Sequence, residues 1–176
     1  IELGTGTGAF AIHAARRYAH VYAVDVSSPM LAFAQQKSKK AGLKNITFCH
    51  AGFLTYEHHG ALADALVTSM AFHHLPDFWK GIALKRMNGM LNPGGVLYLH
   101  DVIFEQADAE THISRWLDQL EEIGGTQLRE EVEAHVRMEF STFDWIIEGL
   151  LERAGFRILS KEVREGVTGT YLCEKE

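Results

Sequence analysis

The sequence predicts an α/β fold built on a mostly parallel sheet of seven strands, and three observations predict it. Strand-like and helix-like segments alternate along nearly the whole chain. The second strand-like run, Val21-Tyr22-Ala23-Val24-Asp25, is apolar almost throughout, as buried parallel strands are. Three glycines, Gly4, Gly6 and Gly8, crowd the turn between the first strand and the first helix. That turn falls at the carboxyl end of the sheet, where ligands of open α/β sheets bind.

The first strand is short, Ile1-Glu2-Leu3, and residues upstream of it are expected to be missing. Phe10 to Tyr18 reads as a helix, and the strand Val21–Asp25 follows it. The next helix has clear punctuation: Ser27 and Ser28 offer capping oxygens, Pro29 sits where a missing N–H costs nothing, and Gly42 follows the last turn. Lys37, Lys39 and Lys40 gather in its final turns, facing the negative end of the helix dipole. Strands are predicted at 45–50, 63–68 and 96–101. A helix from Pro76 to Leu91 separates the last two and is closed by Asn92-Pro93-Gly94-Gly95.

Between Val102 and Phe140 the rhythm changes. Ile113, Trp116, Leu117, Leu120 and Ile123 recur at helical spacing, Gly124-Gly125 interrupts them, and a more polar helix crosses 129–137. This stretch is the expected substrate lid, with Phe104, Trp116, Met138 and Phe140 as its apolar side chains. Ser141-Thr142-Phe143-Asp144 resembles a capping box ahead of a helix that buries Trp145, Ile146, Leu150 and Leu151. Two strands, 156–163 and 170–174, close the chain as a hairpin around a glycine turn. No linker or repeat divides the 176 residues, so one domain is expected.

Composition narrows the function. Asp and Glu (23) outnumber Lys and Arg (17), giving a net charge of −6, which argues against a nucleic-acid partner. No apolar run approaches the roughly 18 residues of a membrane span. The two cysteines, Cys49 and Cys173, lie in apolar runs and read as buried free thiols of a cytoplasmic protein.

Glycines are needed where φ is positive or where another group approaches the main chain closely. Asp25 lies 21 positions after Gly4, at the tip of the second strand. A carboxylate there can accept hydrogen bonds from both hydroxyls of a ribose. Gly4-Thr5-Gly6-Thr7-Gly8-Ala9 also fits the dinucleotide fingerprint. However, Glu2 places a carboxylate where a pyrophosphate would want positive potential. A cationic ligand, an α-ammonium with a sulfonium as in S-adenosylmethionine (SAM), suits Glu2 better, unless Glu2 holds the loop's own N–H groups.

With these residues in place, the chain resembles the class I SAM-dependent methyltransferases. Glu2-Leu3-Gly4-Thr5-Gly6-Thr7-Gly8 matches that family's glycine motif. Val24-Asp25-Val26-Ser27 with Pro29-Met30-Leu31 resembles its second motif. Ala63-Asp64-Ala65-Leu66, Phe72-His73-His74-Leu75 and Leu91-Asn92-Pro93-Gly94-Gly95-Val96-Leu97 resemble three more, in order. The nearest flavour is the small-molecule type, similar to the ubiquinone and menaquinone C-methyltransferases.

The resemblance implies a three-layer sandwich with strand order 3-2-1-4-5-7-6, the last strand antiparallel. It also implies SAM as cofactor, S-adenosylhomocysteine as product, and a small-molecule methyl acceptor. The cofactor set it suggests is Glu2, Gly4, Thr5, Gly6, Gly8, Asp25, Val26, Met30, Gly52, Phe53 and Ser69. One departure stands out: where the family carries Gly-Asp-Ala, this chain has Ala51-Gly52-Phe53, so the acidic residue for adenine is absent.

Methyl transfer needs alignment and exclusion of water more than it needs a base. Candidate bases at the ends of the fourth and fifth strands are His73, His74, His100 and Asp101, since histidine titrates near neutrality. The same four side chains are suitable in type for a metal, but they lack any dedicated metal spacing and no metal is expected. Two rivals remain: a non-catalytic SAM-binding or regulatory domain, and a nicotinamide-dependent oxidoreductase.

Overall fold

The computed structural model describes residues 1–176. At the centre of its sheet lies β1 (Glu2–Leu3), paired in parallel with β2 (Val21–Asp25) on one side and β4 (Ala63–Ser69) on the other. β3 (Ile46–His50) extends the sheet beyond β2, and β5 (Leu91–Phe104) extends it beyond β4. β8 (Thr168–Lys175) pairs antiparallel with β5 and with β7 (Phe156–Arg164), giving the order β3-β2-β1-β4-β5-β8-β7. This is the expected order. A two-residue strand, β6 (Thr142–Phe143), pairs with the far end of β5 and advances the numbering of the last two strands by one.

Helices α1 (Ala9–Ala14), α2 (Ser28–Lys40), α3 (Asp77–Met90), α4 (Ala109–Met138) and α5 (Asp144–Arg153) connect the strands. Alternation along β2 shows how the faces divide, because successive side chains of a strand point to opposite sides. Val21 and Ala23 pack with Ala11, Ala14 and Ala15 around α1. Val24 joins the main core, where Leu66, Leu97 and Leu99 meet Leu84 and Met87 of α3 and Ile147 and Leu151 of α5. Apolar helix faces therefore cover the sheet on both sides, and three layers result. No helix is long and apolar enough to cross a membrane, and both cysteines are free thiols.

Several expectations need correction. α1 stops at Ala14, short of Tyr18. The segment 92–95 does not separate a helix from a strand. Leu91 pairs with Ala63 and Val96 with Ala65, so the residues between loop out of a continuing ladder, with Gly94 at φ 73°. β5 also runs on to Phe104, so Val102, Ile103 and Phe104 are buried sheet residues and not part of an insertion. The predicted capping box does not form, because the helix starts only at Asp144 with Phe143 as its N-cap, and Thr142 donates its hydroxyl to Asp77 Oδ2 (3.1 Å). The helix that starts at Asp144 turns Ile147 and Leu151, one turn apart, to the core and leaves Trp145 56% exposed.

α4 is a helical hairpin. Gly125 at φ 76°, ψ 179° breaks it, and Arg129 Nη1 reaches back to Asp118 Oδ1 at 2.5 Å. Eleven residues of straight helix would separate those positions by about 16 Å. Trp116 packs at the foot of the hairpin against Val102, Phe104 and Val167, while Met138 is largely exposed and Phe140 half so.

The returning chain is fastened by one buried cation. Lys80, 2% exposed on α3, pairs with Asp77 Oδ1 (2.8 Å) and donates to the Phe140 carbonyl. Asp77 in turn holds Thr142, so α3, the end of α4 and β6 share one network. Lys80→Ala leaves the Phe140 carbonyl without its donor. It is expected to lower the unfolding free energy by about 2 kcal/mol in urea titrations. An unchanged midpoint would show that the network contributes nothing.

Candidate active site

The parallel strands β1, β2 and β4 end at a crevice of about 470 Å³, within the usual range for small-molecule sites. Its walls include Gly6, Asp25, Val26, Phe53, Met70 and His74. A second hollow of about 360 Å³ opens at the other end of the sheet, near Ile1, Val21 and Ala63. Ligands of such sheets bind outside the carboxyl ends, which selects the first.

The three glycines share a positive φ (80°, 51° and 73°), but for different reasons. A Cβ on Gly4 would lie 2.5 Å from the Ala71 Cβ, and one on Gly8 would lie 2.7 Å from the Ala34 Cβ. Those two let the turn pack against the β4 loop and α2. A Cβ on Gly6 would meet nothing within 4 Å, so its side of the turn faces open crevice. Gly6 is where a ligand can pass against bare backbone.

Asp25 is buried, yet it points at that turn. Its Oδ2 accepts the Gly6 N–H (2.7 Å) and its Oδ1 accepts the Ser27 N–H (2.8 Å). Each carboxylate oxygen has two lone pairs, so one remains on each for further donors. Val26 is held beside it by His50, whose Nε2 donates to the Val26 carbonyl (2.8 Å). Gly52 is required for closeness, since a Cβ there would sit 2.8 Å from Val26 Cγ1. Phe53 packs edge-to-face on Phe72, with ring centroids 5.2 Å apart, and gives the crevice an aromatic wall.

Other predicted cofactor residues lie outside the crevice wall. Thr5 and Glu2 are buried beneath the turn, where the Thr5 hydroxyl donates to the Glu2 carboxylate and the Ala11 backbone also bonds it. Glu2 therefore ties the loop to α1 and is not part of the crevice wall. Gly8 spaces α1 from α2. The Met30 side chain is turned outward on the first turn of α2, and Ser69 is replaced on the wall by Met70 and Ala71.

The four candidate bases divide sharply. Asp101 is 2% exposed, and its Oδ2 takes the N–H groups of Ala71, Phe72 and His73 (3.2, 2.6 and 3.3 Å). Its Oδ1 takes the Val102 N–H (2.7 Å) and the His73 ring Nδ1. That carboxylate organises the 3₁₀ turn Phe72–His74, and Met70 adopts φ 50° to enter it. His73 is buried with Glu139 on its other ring nitrogen at 3.0 Å. Burial lowers the His73 pKa, but the Asp101 hydrogen bond and the charges of Asp101 and Glu139 outweigh it and raise it overall. His73 holds its proton more tightly than an ordinary histidine and is a poor base. His100 bonds Thr170 Oγ1 (2.9 Å) away from the wall. Only His74 of the four lines the crevice.

The sequence reading missed Glu139, which meets His73, His74 and His135 together. Its i, i+4 spacing from His135 was a local signal; its approach to His73 from 66 positions away was not.

Glu2 makes a test of this burial. Loss of solvent lifts its pKa from 4.5 to about 7, against the opposing Thr5 bond. A carboxyl raised in the fold stabilises most below its unfolded value of 4.5, and that contribution is lost as pH climbs through about 7. Replacing it by the neutral isostere, Glu2→Gln, removes this dependence. From pH 5 to pH 8 the variant should gain on the wild type by on the order of 3 kcal/mol in unfolding free energy. A pH-independent difference would contradict it.

Comparison with known proteins agrees with this geometry. Residues 1–95 match a family model described as a methyltransferase domain. An uncharacterized methyltransferase of Mycobacterium tuberculosis is 37% identical over 97 residues, 55% of this chain and 47% of that protein. The chain thus spans about half the length of that relative. An uncharacterized methyltransferase of Bacillus mycoides is 27% identical over 158 residues, 90% of this chain and 69% of that one. In fold, the chain is similar to the magnesium protoporphyrin IX methyltransferase of Synechocystis with bound SAM. The TM-score is 0.68 at 17% identity, covering 99% of this chain and 68% of that one. The family match takes in more than half of the residues, from the glycine turn to the Pro93 loop, and the chain belongs to the methyltransferase-domain family.

Proposed function

We propose that the chain transfers a methyl group from SAM to a small-molecule acceptor held at the mouth of the crevice, beside His74. The observation that carries this reading is the pairing of open space over Gly6 with the free lone pairs of Asp25. When bound, the cofactor supplies an electrophilic methyl carbon on a sulfonium leaving group. Every other task falls to this chain. Asp25 accepts the ribose hydroxyls, and Phe53 and Val26 offer apolar surface to the adenine faces in place of an acidic side chain. The bare backbone at Gly6 lets the amino-acid end lie close.

The buried Asp25 carboxylate beside the turn favours a cation over a pyrophosphate. His73 and Asp101 are spent on each other and on the 3₁₀ turn, so neither is offered as the base. The Phe140 N–H donates to the His73 carbonyl (2.9 Å), which brings the end of the α4 hairpin up to the turn that carries His74; in this reading it screens an acceptor there from water.

Titration calorimetry with S-adenosylhomocysteine and with NADH tests the reading. The first is expected to bind and the second not. Gly6→Ala, which adds a methyl to the crevice and strains a φ of 51°, should weaken binding at least tenfold, about 1.4 kcal/mol. Binding of NADH alone would overturn the assignment. Homocysteine-nucleoside binding with no labelled product from any phenol, amine or acidic-carbon acceptor would make the chain a non-catalytic SAM-binding domain.

A further inference from the structure

Beside the crevice, the 3₁₀ turn and the end of α4 bring nitrogen and carboxylate donors to one point. His73 Nε2 lies 3.0 Å from Glu139 Oε2, and His74 Nδ1 lies 3.4 Å from Glu139 Oε1. The donor atoms of His73, His74 and Glu139 all fall within 4.8 Å of one another. Donors around a tetrahedral zinc ion with bonds near 2.0–2.1 Å are about 3.4 Å apart, so small side-chain rotations would bring these three to one ion.

The surroundings are those of a ligand set. His73 gives its Nδ1 to the buried Asp101, which fixes the ring and leaves Nε2 to face Glu139. A ligating histidine is ordinarily oriented in this way by a carboxylate on its other nitrogen. Glu139 is held in turn by His135 Nδ1 at 2.6 Å. Two carboxylates therefore face one imidazole from opposite sides, and an ion bound at Nε2 would take the place of the proton held there. The buried His73 and the largely buried Glu139 close the protein side, while the exposed His74 leaves the crevice side open.

We propose that His73, His74 and Glu139 bind a divalent transition ion of the zinc class, with Asp101 and His135 as positioning residues. Two imidazoles and one carboxylate suit zinc, cobalt or nickel better than magnesium or calcium, which prefer all-oxygen sets. Three protein ligands leave a coordination position free, and here it faces the crevice. Taking the methyl-transfer reading as given, that position would hold an anionic oxygen of the acceptor, such as a phenolate or enolate.

The test uses tag-free, chelator-treated full chain titrated with Zn²⁺ by calorimetry and with Co²⁺ by visible absorption. One equivalent of zinc and a d–d band of four- or five-coordinate cobalt are expected. Glu139→Gln and the exposed-site variant His74→Ala should each weaken zinc at least tenfold. Equal zinc binding by wild type and both variants, or a cobalt spectrum of the hexaaqua ion, would overturn the proposal. S-adenosylhomocysteine binding, measured in parallel on the wild type and Glu139→Gln, is expected to be retained. Its failure in the wild type with zinc still bound would remove the acceptor assignment and leave the metal site standing.

Discussion

The structure depends on how closely one strained turn can approach its neighbours. Gly4 and Gly8 sit so near Ala71 and Ala34 that any Cβ would collide, and all three glycines occupy φ values that other residues reach only at a cost. The turn is consequently pinned from both sides, against the β4 loop and against α2. Gly6, the one glycine with open space, is left at the crest, its N–H given to Asp25. Glu2 and Thr5 brace the loop from below. The crevice is the space that this packing cannot fill.

A second carboxylate does for the facing wall what the glycines do for the first. Asp101 gathers three consecutive N–H groups and a histidine ring, and so orders the segment that carries Met70, His73 and His74. A carboxylate with that many partners is fixed in its bonded role and has nothing left for chemistry. Residue types that suggest catalysis by their chemistry are here the frame of the site, and the side chain that reaches the open space is the less buried His74.

The fold was legible because its signals are local. The alternation of strand and helix, the capping around Ser27, the Gly42 stop and the C-terminal hairpin all show within a few residues of each other, and the structure has them. The crevice wall was legible at Gly6, Asp25, Val26, Gly52 and Phe53, whose positions follow from the strand ends. It was less so at Glu2, whose carboxylate serves the loop, and at Met30 and Ser69, whose orientation depends on how α2 and β4 are turned. The continuation of β5 to Phe104 depends on pairing with the distant β6 and β8. Burial of Lys80 and the meeting of Glu139 with His73 depend on the path of the α4 hairpin, and no local pattern encodes that path.

The most direct measurement is a crystal structure of the chain soaked with S-adenosylhomocysteine. Both ribose hydroxyls should lie within hydrogen-bonding distance of the Asp25 carboxylate, with the adenine against Phe53 and the homocysteine passing over Gly6. A nucleoside bound elsewhere, or a crevice left vacant at saturating ligand, would contradict the account.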